Sequence, residues 1–301
     1  MLDLGFSMHE PLQSDLIKNL SSKRRPRILY HYTSGSALIG ILKSQSLWAT
    51  SIRFLNDSTE YNLALKLAQE VIQNRIDSAM NNFDRGLYNV LKERLAGEKG
   101  HGEVYVSSFT ENGDQLSQWR AYSPPTGGFA IGFRSKSLTD MTGSNPDRFL
   151  ARCTYDAPSQ EELIRGLIQT VAKFAEDNNA HNQMSHDRVF RESFKLLGRL
   201  LPLIAPALKD ASFEEEREWR LVRLPSSFDD MDLQFREAKS MLIPYYQHRF
   251  PGNGGHAPVE ELIVGPTPHP ELAREAAQSL LGTYGLRRPI VKSSSIPYRT
   301  W

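Results

Sequence analysis

Cysteine is nearly missing from this chain: Cys153 is the only one in 301 residues. A lone thiol cannot close an intrachain disulfide or build a cysteine cage around a metal. A surplus of charge is missing too. Lys and Arg number 36 against 35 Asp and Glu, a formal charge of +1, so no global field draws the chain toward nucleic acid. The run Lys23-Arg24-Arg25-Pro26-Arg27 is a local exception and reads as a solvated flank. No stretch approaches the roughly 20 apolar residues of a membrane helix. The opening MLDLGFSMHEPLQSDL has early acids and no apolar core, unlike a signal peptide. A cytoplasmic protein with no membrane partner is expected.

Several signatures are absent as well. The chain has no G-x-G-x-x-G after a strand, no G-x-x-x-x-G-K-[ST], no H-E-x-x-H and no G-x-S-x-G. His181 and His186 stand five apart, which is not a one-face helical pair. Dinucleotide-fold, P-loop, zincin and hydrolase readings lose their main support, and no metal is expected. Repeats and low-complexity tracts are lacking.

The patterns that remain describe an α+β chain. Strand-like runs are predicted at residues 28–30, 46–51, 103–109, 129–133, 149–155, 218–224, 241–246, 261–264 and 289–292. Helical periodicity covers residues 60–96, 114–122, 160–177, 187–208 and 270–281, and Ser34 can cap a further helix. Pro202 and Pro206 should kink or end the very apolar helix of residues 187–208. Because strands and helices do not alternate regularly, a mostly antiparallel sheet is expected. Residues 1–27 read as an N-terminal flank. Residues 28–301 read as one α+β domain with a helical insertion at about 157–210.

Four stretches set polar residues into strand-like surroundings. In His31-Tyr32-Thr33 an imidazole and a hydroxyl can hydrogen-bond a ribose or an amide, and a tyrosine ring can stack on a heterocycle. A packed, capped helix start explains the same tripeptide. Next, Arg53 can meet a phosphate or sit at the surface, and Asn56-Asp57-Ser58 makes a turn and a helix cap. Ser107-Ser108 closes a strand, before a short helix whose Trp119 and Tyr122 read as core residues. Finally, strand alternation puts Glu216, Glu218 and Arg220 on one face. Two carboxylates there suit general-base work or stabilisation of a cationic transition state. An ion pair with Arg220 is the bland alternative.

The ordered series LYHYTS, LWATSIRFLND, VYVSSFTENGD, LSQWRAY, GGFAIGF, EWRLV, IPYY and ELIVGP resembles bacterial domain-of-unknown-function family 2971, from about Ile28 to Tyr298. More distantly, the strand-borne H-Y-T, the short helix and the L-W strand resemble the start of the ADP-ribosyltransferase fold, especially its nucleic-acid-modifying toxin branch. That resemblance implies a split, mostly antiparallel sheet and NAD as substrate. His31 and Thr33 would hold NAD, Tyr32 or Tyr30 would stack, and Ser107 or Ser108 would line the pocket. Glu218, with Glu216, would be catalytic. It implies transfer of ADP-ribose to a nucleic acid or protein, a toxin or antiphage role, and an antitoxin or defence-system partner. Departures are the S-S-F second motif and the large helical block before Glu218. An NAD glycohydrolase, a nuclease using Asp232, Glu237 and Lys239 on Mg²⁺, and a catalytically silent nucleotide-binding module are the competing expectations.

Overall fold

Strand β3 (Tyr105–Thr110) has a neighbour along the whole of one edge and two different neighbours along the other. In this computed structural model, residues 16–17, 20, 24–55, 60–97, 103–124, 127–143, 145, 147–180, 184–225, 232–238, 240–251 and 257–298 are described. Strand β1 (Ile28–Thr33) leads through the Ser34 cap into α1 (Gly35–Ser44), β2 (Ser46–Ser51), α2 (Glu60–Ser78) and α3 (Asn82–Gly97). After β3 come α4 (Leu116–Tyr122), β4 (Phe129–Arg134), α5 (Ser135–Asp140) and β5 (Arg148–Arg152). The long helices α6 (Ala157–Ala180) and α7 (His186–Ile204) precede β6 (Glu218–Arg223), β7 (Gln234–Glu237) and β8 (Leu242–Arg249). Strand β9 (Val259–Val264), α8 (Pro270–Thr283) and β10 (Ile290–Ser293) close the described order. The turn proposed at Asn56-Asp57-Ser58 lies outside the described residues.

Among the described residues one sheet takes the order β10-β9-β4-β1-β3-β2-β8-β7, with β6 and β5 branching from β3. Its strand pairs are antiparallel except β9 with β10. The expected α+β, mostly antiparallel class is therefore what the chain adopts. Strand β6 covers one edge of β3 from Tyr105↔Arg223 to Thr110↔Glu218. On the opposite edge β2 pairs at the start, Ser51↔Tyr105 and Thr50↔Val106, and β1 at the end, Tyr30↔Thr110. Between those contacts β1 and β2 diverge, and the middle of β3 forms the floor of a fork.

Side chains alternate across this floor, as a pleated strand requires. Val106 and Val222 join the core beneath α2, α3, α6 and α7, while Phe109, Trp219 and Leu221 join the core on the other face with α1 and α8. Leu20, in the stretch read as a flank, contributes a buried side chain to the first core. Helix α7 runs through Pro202 and stops at Ile204, before the short 3-10 turn Ala205–Ala207. An internal proline costs about 3 kcal/mol. The buried stripe Leu196, Leu197, Leu200, Leu201, Leu203 and Ile204, at about 2 kcal/mol per side chain, outweighs that several-fold. The helix expected over residues 60–96 is instead two, because Asn81 Oδ1 accepts the Asp84 N–H at 2.8 Å and restarts the chain as a cap would. Strand β7 was not foreseen, since its outward Phe235 and Glu237 break the apolar alternation. No helix among the described residues is long and apolar enough to cross a membrane.

Gly265 shows how closely the fork is supported from behind. A Cβ there would lie 2.9 Å from the Trp119 ring and 3.0 Å from the Gly128 carbonyl. Trp119 cannot retreat, being held by Asp114 Oδ1 at 2.8 Å and by the edge of Tyr32. Gly265→Ala should therefore cost about 2 kcal/mol by overpacking, to be read as a lower urea midpoint with an unchanged slope.

Candidate active site

The fork is a cleft of ≈ 170 Å³. Strand β1 brings Tyr30, His31 and Tyr32 to it, β2 brings Trp48 and Thr50, and β3 supplies the floor; Gln118 and Tyr122 of α4, with Glu216 and Glu218, complete the wall. Of the residues expected from sequence, His31, Tyr32, Ser107, Ser108, Glu216 and Glu218 thus meet in one place. Thr33 and Arg53 do not line it. Thr33 is buried at the end of β1 opposite Phe129, and Arg53 is exposed in the 3-10 turn Ile52–Phe54.

His31 occupies the gap where the ladder is interrupted. Its Nδ1–H donates to the Ser108 carbonyl oxygen at 2.9 Å. A carbonyl cannot donate, so the proton sits on Nδ1 and Nε2 keeps its lone pair. Burial holds the imidazole pKa below its ordinary value, against the opposing pull of that hydrogen bond. A neutral ring with a fixed tautomer therefore offers an acceptor to the cleft.

The two serines divide. Ser107 is buried and its hydroxyl donates to the Trp48 carbonyl at 3.0 Å, tying β3 to β2 across the fork. Ser108 lies on the opposite face of the strand, and among the described residues its hydroxyl has no partner. The stacking role expected of Tyr32 does not fit its surroundings. Its hydroxyl donates to the Asn112 carbonyl and accepts the Gln115 N–H, both at 3.0 Å, and its ring meets Trp119 edge-on. Open aromatic faces come from elsewhere: Trp48 is 43% exposed and Tyr122 38%. Trp48 stacks on Tyr245 at 4.4 Å, and the Tyr245 hydroxyl is fixed by Gln234 Oε1 at 2.9 Å. Tyr122 was expected in the core, and its partner Trp119 is indeed buried.

Behind the cleft lies a buried charge cluster. Arg220 grips Glu218 with both arms of its fork, Nε to Oε1 and Nη2 to Oε2, each at 2.9 Å. Lys209 Nζ adds a bond to Glu218 Oε2 at 2.6 Å and another to Glu216 Oε2 at 2.5 Å. Desolvation alone would raise the Glu218 pKa. The two cations more than reverse this and hold it at about 2. The same carboxylates, chiefly Glu218, keep Lys209 charged despite its burial. Glu216 does not reach this cluster by strand alternation. It ends the 3-10 turn Ala211–Glu216, and Arg217 follows with a left-handed φ of 42°, so β6 begins only at Glu218.

Lys209 escaped the sequence reading. The signal for it was a single charge closing the apolar run Leu200-Leu201-Pro202-Leu203-Ile204-Ala205-Pro206-Ala207-Leu208. Gln160 fixes its backbone by donating to the Thr154 and Lys209 carbonyls, both at 2.7 Å. Asp232 is exposed and pairs with Arg223 at 3.6 Å, and Lys239 lies outside the described residues. Among the described residues no group of three or more His, Cys, Asp or Glu side chains is placed to hold a metal.

Removing the Glu218 charge leaves Arg220 and Lys209 buried with too little compensation. Glu218→Gln should lose about 3–5 kcal/mol of stability at pH 7, measured by denaturant unfolding. In the wild type the folded pKa of Glu218 is depressed. Its contribution is therefore complete above the unfolded carboxylate value and should fade as pH falls from about 4.5 toward about 2.

Residues 118–221 match the family model described as Protein of unknown function (DUF2971). The matched segment contains Tyr122, Lys209, Glu216, Glu218 and Arg220, whereas β1 and β2, with His31 and Trp48, lie outside it. No curated protein and no solved structure matches the chain significantly. From α4 through most of β6, then, the chain is similar to a family of unknown function, and that segment carries the acidic half of the cleft.

Proposed function

We propose that the fork between β1 and β2 binds NAD and that the chain is an ADP-ribosyltransferase, with a fold related to that superfamily. The observation that carries this reading is the convergence of His31, Ser108, Glu216 and Glu218, from three strands and a turn, on one aromatic-walled cleft. At ≈ 170 Å³ the cleft is below the range of about 300–1,000 Å³ that encloses whole ligands. It suits a nicotinamide ring and the adjoining ribose, with the adenosine half lying outside.

In the reaction the bond from the nicotinamide nitrogen to the ribose C1′ breaks, and its electron pair leaves with the nicotinamide. The cationic ring becomes neutral and the sugar becomes oxocarbenium-like. A nucleophile on the acceptor, nucleic acid or protein, then donates a lone pair to C1′ and gives up its proton to a carboxylate or to water. Trp48 or Tyr122 faces the departing ring, His31 Nε2 accepts a hydrogen bond from the ligand, and one carboxylate oxygen of the wall, placed against the sugar, stabilises the developing positive charge. With water as acceptor the same site is a glycohydrolase.

A second reading has its own support. Both oxygens of Glu218 are engaged by Arg220 and Lys209, as they would be in a module that grips a nucleotide without cleaving it. Incubating the protein with NAD, with and without single-stranded nucleic acid, separates the two. The expected result is nicotinamide release, together with quenching of Trp48 fluorescence. His31→Ala should lower kcat/KM about tenfold through one lost hydrogen bond. Quenching without release overturns the transferase in favour of the silent module, and neither effect overturns the NAD site.

A further inference from the structure

Glu216 and Glu218 stand two residues apart and share a lysine, yet the fold leaves them in different states. Glu218 is only 6% exposed at its side chain, and each of its oxygens already accepts a charged donor at 2.6–2.9 Å. A ligand hydroxyl would have to displace one of those donors. Glu216 has a single such partner, Lys209 at Oε2. Its Oε1 accepts from the Tyr122 hydroxyl at 3.5 Å and has no other hydrogen-bond partner among the described residues. Tyr122 is itself an exposed ring of the cleft wall, so this oxygen sits at the ligand side of the cluster.

Lys209 is built to hold that arrangement. It is buried, its backbone is clamped by Gln160, and its ammonium lies 4.8 Å from the centre of the Phe213 ring, within the turn that carries Glu216. Sharing its charge between two carboxylates fixes Glu216 against Glu218 at 2.5 and 2.6 Å. The left-handed Arg217 between them lets Glu216 reach Lys209 from outside the strand.

Resting on the NAD-cleaving reading above, we infer that Glu216 is the carboxylate that meets the ligand, and that Lys209 is the positioning residue that aims it. Glu218 then serves as the fixed anion that keeps Lys209 in place. The Glu216 carboxylate stabilises the oxocarbenium-like sugar through Oε1 as the nicotinamide leaves. The groups facing it are Lys209, Tyr122 of α4, Glu218 and Arg220 of β6, and His31 of β1 across the cleft. Of these, Lys209 is the cation in direct contact.

The test follows nicotinamide release from NAD for the wild type, Glu216→Gln, Lys209→Gln and Lys209→Arg, with kcat and KM read separately and folding of each checked by circular dichroism and thermal melting. Glu216→Gln should lower kcat about 100-fold with KM near wild type. Lys209→Gln should lower kcat about tenfold or more with KM near wild type, because a misplaced catalytic group costs up to about 100-fold. Lys209→Arg, which keeps the charge that holds Glu216, should restore most of that loss. Wild-type kcat in a folded Glu216→Gln overturns the inference while leaving the NAD reading intact. A folded Lys209→Gln with wild-type kcat overturns the positioning role. Absence of release from the wild type itself overturns the reading on which both rest. Should Lys209→Gln not fold, Glu216→Gln still decides the first half and Lys209→Arg the second, where a kcat as low as that of Glu216→Gln despite the retained charge counts against it.

Discussion

A strand edge has one row of backbone donors and acceptors, and on β3 two strands compete for it. Strand β2 takes the beginning and β1 the end. The carbonyl of Ser108 in between would be stranded, and an unpaired buried carbonyl costs about 1–3 kcal/mol. His31 supplies the missing donor from its side chain. This substitution holds the fork open, because the width of an imidazole now separates what a ladder bond would have drawn together. It also fixes the tautomer that leaves Nε2 with its lone pair. The open fork and the fixed tautomer of His31 thus have one cause.

The cluster behind the fork obeys a similar economy. Two carboxylates in a desolvated wall would repel one another and rise in pKa. Arg220 and Lys209 neutralise them, and the near-even count of acids and bases in the whole chain recurs here at close range. A neutral cluster can be buried, but it gives up electrostatic strength toward a ligand. Any catalysis must then come from the local placement of one oxygen rather than from the net field of the wall. A buried ion network adds little stability compared with well-packed apolar residues, so its retention is better explained by the geometry it imposes.

Much of this is legible in the sequence. Residues with strong alternation or periodicity, such as Phe129–Phe133 in β4 and Pro270–Leu281 in α8, lay where the pattern put them, because burial enforces the pattern. The polar residues of the cleft could be picked out because they interrupt strands where hydrophobic residues are the rule. What stayed hidden depends on tertiary placement. The partnership of Ser107 with Trp48 and the enclosure of Tyr32 join positions far apart in sequence, and the inward turn of Lys209 is held by the distant Gln160. Glu216 is instructive in the other direction. Alternation put it beside Glu218 and it is beside Glu218, but through a 3-10 turn and a left-handed Arg217 rather than a continuous strand. Nothing in the period-2 pattern distinguishes the two routes.

The helical block at residues 157–210, an excess over a minimal sheet, follows from the same constraints. Lys209 must approach the carboxylates from outside β6, and its desolvation has to be offset by rigid support. Helices α6 and α7 provide both. Their apolar stripes anchor in the core beneath β3 and β6, and the 3-10 turn after α7 brings the chain back to Thr154, where Leu208 bridges and Lys209 N–H donates to the Thr154 carbonyl at 3.2 Å. Gln160, one turn into α6, closes the loop by binding the carbonyls on both sides. A shorter insertion would leave the lysine on a flexible tether, free to stay in water and release Glu216. The helices therefore also give rigid support to a single ammonium group, placed within hydrogen-bond distance of two carboxylates.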